Sequence, residues 1–353
     1  MKAQKKVTST VFLCILFTIV YILFAAIPDD PKLKIKPVWT TSLNSRAEPS
    51  AASENAIPFK LGQILGYIEP EGTISLRETF PYMASISSKN WCIYGADAEN
   101  TAFYTPDGTK AGTIKEAGFP YITENGIFLF QPGGMSFDRI DGGGNSLWRY
   151  EETSPITAFN TSKNGIIAGF ASGKLVKFGM DGKIESVIFP GGSDIQVILG
   201  AAVSNSGIYS ACISGIDNQR FVLYRTTANQ TKTIFHEYLG KGLREQVFVQ
   251  FSKDEKHVFF YEKGGLVIVN TEKLESHHTK LDGKLITVAE EENSNCFYVL
   301  SKNGTTYIVS IYEYPASKIG SFSFKADKAS IYLKDNCFYV GRNDEITKLE
   351  IEK

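Results

Sequence analysis

Residues 162–183 read Ser-Lys-Asn-Gly-Ile-Ile-Ala-Gly-Phe-Ala-Ser-Gly-Lys-Leu-Val-Lys-Phe-Gly-Met-Asp-Gly-Lys. Ser162-Lys163-Asn164-Gly165 has the composition of a tight turn, and Asp181-Gly182 is a pair that tolerates positive φ at low cost. Between them lie two short apolar runs, residues 166–170 and 175–179. Runs of that length bounded by turn signals read as strands covered on both faces. The turn recurs as Ser88-Lys89-Asn90, Thr123-Glu124-Asn125-Gly126, Ser204-Asn205-Ser206-Gly207, Ser252-Lys253-Asp254, Asn293-Ser294-Asn295 and Lys334-Asp335-Asn336. With one marker residue per copy (Asn90, Asn125, Asn164, Ser206, Asp254, Ser294, Asp335), the spacings are 35, 39, 42, 48, 40 and 41 residues.

A period near 40 with four strands per unit is that of a β-propeller blade. Second strands follow each turn, as at Trp91-Cys92-Ile93-Tyr94 and Cys296-Phe297-Tyr298-Val299. Third strands are predicted at residues 102–105, 136–140, 175–179, 221–225, 266–270, 307–311 and 346–351. The expected fold is all-β, seven four-stranded blades, with eight blades or an open array as alternatives. The last unit ends after three strands, so residues 73–79 are expected to supply an N-terminal closing strand that removes the open edge. Residues 61–68 look strand-like and have no place in a seven-unit count. Composition agrees, with 24 Phe, 17 Tyr and 31 Gly pointing to short strands and tight turns.

Asp141-Gly-Gly-Gly-Asn-Ser-Leu-Trp148, followed by the stretch 165–183, resembles the repeats of the PQQ-like and WD40/YVTN-like propeller families, which carry D-x-x-G-x-x-x-W and then G-x-L-x-x-x-D-x-x-G. The tryptophan-bearing form is clear over roughly 40 residues, while the blade rhythm covers residues 80–353. No Trp-Asp dipeptide or Gly-His pair of the standard WD40 repeat is present. The quinone site that the resemblance would imply does not carry over. The chain has no Cys-Cys pair and three Trp, one of them at Trp39 ahead of the repeats. No cofactor is expected.

Residues 7–27, from Val7 to Ile27, contain no charge and are long enough to cross a bilayer as a helix. Lys2, Lys5 and Lys6 precede them and Asp29 and Asp30 follow, so the positive-inside bias places residues 1–6 in the cytoplasm and the rest outside. An uncleaved anchor in the inner membrane is expected, with a periplasmic propeller; a cleaved signal peptide is the alternative. Residues 28–58 hold five prolines and a Ser/Ala/Asn-rich stretch and read as a linker, leaving 59–353 to the propeller.

A net charge of −1 argues against nucleic acid as a partner. The adjacent pair His277-His278 would point to opposite faces of a strand, a poor chelate, and no hydrolytic triad has legible spacing. Cys92, Cys212, Cys296 and Cys337 show no zinc spacing, and Cys14 lies in the apolar run. Function is therefore sought in the longer loops, which in an antiparallel meander share one end of the ring. Pro190, Gly191 and Asp194, then Asp217 and Asn218, then Tyr238, Lys241 and Arg244 are the candidate partner-binding residues. The resemblance implies a periplasmic accessory, as in outer-membrane protein assembly. The expected function is a membrane-anchored, non-catalytic scaffold or envelope assembly factor for an unknown protein partner. The alternative is a membrane-tethered propeller enzyme or carbohydrate or small-ligand sensor, which carboxylates or aromatics at the channel mouth would favour.

Overall fold

The computed structural model describes residues 15–18, 21, 34–45, 53–95, 99–228, 230–240, 242–291, 294–335 and 337–352. Among them are eight antiparallel sheets, seven of four strands and one of three, so the propeller has eight blades. Blade one holds β2 (Ile57–Leu61), β3 (Ile64–Ile68) and β4 (Ile74–Thr79), after β1 (Lys34–Ser42). Blade two is β5 (Met83–Ile86), β6 (Trp91–Tyr94), β7 (Thr101–Tyr104) and β8 (Lys110–Ile114). Blade three is β9 (Phe119–Thr123), β10 (Gly126–Phe130), β11 (Ser136–Ile140) and β12 (Ser146–Glu151). Blade four is β13 (Ile156–Thr161), β14 (Ile166–Phe170), β15 (Leu175–Phe178) and β16 (Ile184–Ile188). Blade five is β17 (Ile198–Val203), β18 (Tyr209–Ser214), β19 (Arg220–Thr227) and β20 (Gln230–Tyr238). Blade six is β21 (Val249–Phe251), β22 (His257–Glu262), β23 (Gly265–Asn270) and β24 (Ser276–Lys280). Blade seven is β25 (Lys284–Glu290), β26 (Cys296–Asn303), β27 (Thr306–Glu313) and β28 (Ser317–Lys325). Blade eight takes β29 (Ala329–Lys334), β30 (Cys337–Arg342) and β31 (Glu345–Glu352), and completes itself with β1.

The expectation of seven blades is corrected to eight. The eighth copy of the turn is Ser53-Glu54-Asn55-Ala56, where Ala56 N–H donates to Ser53 O at 3.0 Å, as Gly207 N–H does to Ser204 O at 2.9 Å. After it, the turn 69–73 has the same pair of bonds (Glu69 N to Thr73 O 2.8 Å, Gly72 N to Glu69 O 2.9 Å) as the third-to-fourth-strand turn 105–109. Blade one thus shows its second, third and fourth strands, and the residues just before Ser53 lie outside the described set. The unassigned stretch 61–68 contains its third strand. Ring closure by an N-terminal strand holds, but the expected strand is corrected. β4 pairs with β3, whereas β1, inside the expected linker of residues 28–58, pairs with β31 from Lys34↔Glu352 to Ser42↔Glu345. Its N-H and C=O groups cap the edge that the last repeat leaves open. Of the apolar span 7–27, only residues 15–18 and 21 are described, all helical. No helix among the described residues is long and apolar enough to cross a membrane.

The core lies between blades, because each sheet buries both faces against its neighbours. Blades three and four share an aromatic wedge of Phe128, Phe137, Phe170 and Phe178, with Trp148, Tyr150 and Phe159 packed against it. Blades five and six meet over aliphatic side chains, among them Val197, Ile213, Leu223, Val249 and Val267, with Phe221 stacked on Phe260 at 4.5 Å. Polar links join the turns at one end of the ring. Glu124 accepts from Ser88 N–H at 2.8 Å, Asn125 Nδ2 donates to Thr161 O at 3.1 Å, and Asn164 Nδ2 donates to Asn205 O at 2.9 Å.

One joint recurs in a form that the sequence motif anticipates. Trp148 on β12 donates its Nε1–H to Met180 O at 3.3 Å in the next blade's turn, and lies over Gly182, whose added Cβ would fall 2.7 Å from the ring. Trp39 on β1 repeats this against blade one, donating to Pro70 O at 3.1 Å and covering Gly72, where a Cβ would stand 2.9 Å from the ring. Both glycines have positive φ, +84° and +100°. The flat indole and the left-handed, side-chain-free turn are two halves of one contact.

Candidate functional site

In a meander that runs outward from the first strand, first-to-second and third-to-fourth turns share one end, and the remaining loops share the other. The three segments singled out from the sequence lie at the loop end, around blade five. They form one cluster. Asp217, on the β18–β19 loop, reaches into the link between blades four and five. Its carboxylate accepts from the Ser193 hydroxyl, from Ile195 N–H at 3.2 Å and from Asp194 N–H at 3.3 Å. These donors, the Ser193 hydroxyl foremost, hold its carboxyl well below the usual range. Ser193 in turn accepts from Ile216 N–H at 3.3 Å. Arg220, at the start of β19, donates to Pro190 O and pairs across the sheet with Tyr238.

Gln219 ties in the third segment. Its side chain is 2% exposed, donates to Gly215 O and Leu243 O at 2.9 Å each, and accepts from Leu243 N–H at 2.8 Å. A buried primary amide with donors and acceptor all engaged fixes both loops it touches. Glu245 extends the cluster to blade seven through Lys284 at 2.8 Å.

The structure therefore brings Pro190, Gly191, Asp194, Asp217, Asn218, Tyr238 and Arg244 together on the blade-five shelf, while Lys241 lies outside the described residues. Roles divide among them. Asp217 organises the loops through its bonds to Ser193, Asp194 and Ile195, and it is exposed, as are Asp194, Asn218, Tyr238 and Arg244. Sequence reasoning did not single out Ser193, Gln219 and Arg220, which do the fastening. The signal available was the density of Ser, Asp, Asn and Gln in two loops of one unit, which marks side-chain-to-backbone bonding. Also unforeseen were the apolar side chains beside them. Phe189 is 59% exposed, Ile195 55% and Tyr238 55%.

The first strands of blades four to six border a second concavity of about 250 Å³, lined by Thr157, Asn160, Leu199, Ala201, Gln246 and Gln250 among others. Its polar groups are neutral. Gln246 Nε2 donates to Thr157 O at 2.9 Å, and Asn160 Oδ1 accepts from Val203 N–H at 3.3 Å, so these amides serve the joints between blades. Elsewhere, His278 sits between Glu262 (3.0 Å) and Glu237 (2.7 Å), linking blades five and six. No group of three or more His, Cys, Asp or Glu among the described residues is placed to hold a metal ion. Cys92, Cys212 and Cys296 are buried free thiols.

Comparison with known proteins places this geometry. The chain is 28% identical over 361 residues to a protein of Treponema pallidum (strain Nichols) described as uncharacterized, covering 99% of this chain and 96% of that one. Among solved structures it is similar to BamB from Moraxella catarrhalis, with a TM-score of 0.62 at 12% identity, over 90% of this chain and 100% of that one. At that identity the likeness is one of fold. A family model described as beta-propeller protein matches residues 1–353, and the chain belongs to that family.

Proposed function

We propose that the protein is a membrane-anchored, extracytoplasmic β-propeller that works as a non-catalytic interaction scaffold, in the manner of an envelope assembly factor, and that the blade-five shelf is its partner-binding face. The observation that carries this reading is the fastening of the β18–β19 loop of blade five and the two links flanking that blade by Ser193, Asp217, Gln219 and Arg220, with Phe189, Ile195 and Tyr238 exposed beside them. Loops tied down in the free protein lose little entropy on binding, and exposed apolar side chains with a polar rim supply area and specificity. The anchor is residues 7–27, with the charge asymmetry around it setting the orientation.

The test is crosslinking in intact membranes with tagged full-length chain, comparing wild type with Ile195→Asp plus Tyr238→Ala. Both side chains are more than half exposed, so the melting temperature should stay within about 2 °C, as for surface substitutions. A defined partner captured by wild type and lost in the variant is the expected result. Undiminished capture would assign the contact to another face, and recovery of the wild-type chain in the soluble fraction would remove the anchor from the reading.

A further inference from the structure

The indole joints at Trp148 and Trp39 provide an internal template; the matching positions of other blades carry Leu76, Gly112, Ser186, Phe235 and Gly320, and the joint from blade one to blade two is the one where the receiving turn is kept and open space remains. In both of these third-to-fourth-strand pairs, the indole residue lies opposite the last third-strand residue before a register shift. Trp148 stands opposite Arg139, and Trp39 opposite Lys348. On blade one the corresponding pair is Tyr67↔Leu76. Leu76 therefore occupies the indole position facing blade two. The receiving turn is intact. Residues 105–109 carry the same backbone bonds as residues 69–73 and 179–183, Gly108 has φ +83°, and Pro106 O corresponds to Pro70 O and Met180 O.

Leucine is shorter than an indole, and the difference remains as space. An open cleft of about 390 Å³ lies there, lined by Leu76, Glu78, Trp91, Ile93, Ala102, Tyr104 and Gly108. A Cβ added at Gly108 would meet only Leu76 Cδ1, at 3.4 Å, where the other two joints bring the ring to within 3 Å. One wall is aromatic, with Trp91 and Tyr104 stacked at 4.6 Å and 21°. Trp91 is held by its own bond from Nε1 to Thr105 O at 3.1 Å, so the wall is fixed before anything enters. Glu78, exposed at the rim, adds a carboxylate.

We infer that this cleft between blades one and two is a docking slot for a tryptophan side chain of another protein, flanked in that partner by a lysine or arginine. The indole stacks beside Trp91 and Tyr104, covers Gly108 and donates its N–H to Pro106 O, as Trp148 does to Met180 O, while the basic neighbour meets Glu78. The occupant is not this chain's own. Its three tryptophans are Trp39, Trp91 and Trp148, and each already donates to a backbone carbonyl. The slot is independent of the blade-five shelf, and its failure would leave that reading untouched.

The probe is N-acetyl-lysyl-tryptophanamide, titrated into full-length, 15N-labelled protein, with the three indole N–H signals as readout. Only the Trp91 signal should shift, saturably and in the millimolar range expected of a single side chain. The 1-methylindole analogue, which lacks the donor, should bind roughly tenfold more weakly, the loss of one hydrogen bond. Leu76→Trp should fill the slot from within, adding a fourth indole signal and abolishing the Trp91 response. If that variant fails to fold, Glu78→Lys gives the second reading and should weaken the basic probe while leaving N-acetyl-tryptophanamide unaffected. An unmoved Trp91 signal, equal binding of the methylated analogue, or binding undiminished in folded Leu76→Trp would each overturn the inference.

Discussion

Asp141, Gly144 and Trp148 show how one sequence motif serves three blades. The Asp141 carboxylate accepts from Asn145 N–H and Gly143 N–H at 2.8 Å each, which shapes the turn and lowers its pKa. Gly144, at φ +101°, brings that turn against Thr113 O of blade two, where a Cβ would come within 2.2 Å. Trp148 reaches forward to Met180 O and Gly182 of blade four. Motif spacing is thus set by joints on both sides of the blade. Two substitutions at one contact test this. Trp148→Ala removes a half-buried ring stacked on Phe178 and should cost roughly 2 kcal/mol, somewhat below the figure for a fully buried aromatic. Gly182→Ala inserts a Cβ into that ring at a left-handed position and should cost a similar amount. In the double variant the two should be non-additive by more than about 0.5 kcal/mol, because the atoms nearest the added methyl all belong to the indole that has been removed. Urea unfolding of the four proteins measures all three numbers; strict additivity would show that the two residues do not share a contact.

At the scale of elements, the turns that mark each repeat prove to be the fasteners of the ring. Ser88, Asn125 and Asn164 are turn formers by composition, yet each also bonds to the following blade. The joint of blades six and seven uses a buried carboxylate for the same purpose. Glu290, at the end of β25, accepts from Lys253 N–H and, at 2.6 Å, from the Tyr314 hydroxyl, while Tyr314 stacks on His257 at 4.1 Å. Burial pushes the Glu290 carboxyl up to about 7, against the opposing effect of these donors, with Asp254 adding to the rise. In the unfolded chain the group ionises near 4.5, so folding retains a proton that the unfolded state gives up. Stability should therefore fall as pH rises from about 4.5 to about 7 and then level off. Glu290→Gln removes the titrating proton and should flatten that segment of the profile, by up to about 3 kcal/mol between pH 4.5 and 8. Denaturant midpoints at a series of pH values decide it; parallel profiles for wild type and variant would deny Glu290 the role.

For the molecule as a whole, stability depends on closing a ring whose two ends are distant in sequence. β1 supplies the outer strand of blade eight, and Trp39 on it fastens blade eight to blade one. Removing residues 1–42 exposes the β31 edge and the slot over Gly72 together. The truncated chain should melt at least 10 °C lower and form oligomers at concentrations where the full chain does not, because an open edge strand templates pairing. Scanning calorimetry with light scattering tests this, and unchanged melting would mean that β1 is dispensable. The second and third strands of blades two to eight, the repeat period and the end on which the long loops gather followed from the amino-acid sequence alone, since apolar runs and turn residues are local signals. Blade number did not, because Ser53-Glu54-Asn55-Ala56 lies among Ser, Ala and Asn residues that read as a linker when no neighbour is in view. Trp39 was hidden for the same reason. Its partner Gly72 is 33 residues away, and its strand neighbour Lys348 lies at the other end of the chain. The shelf at blade five was legible as a location, whereas the bonds of Asp217 to the link between blades four and five and the exposure of Phe189, Ile195 and Tyr238 required the fold. Sequence determined which segments become strands and turns. Only the closed ring decided which of them meet, because the contacts between blades join residues whose proximity no local pattern encodes.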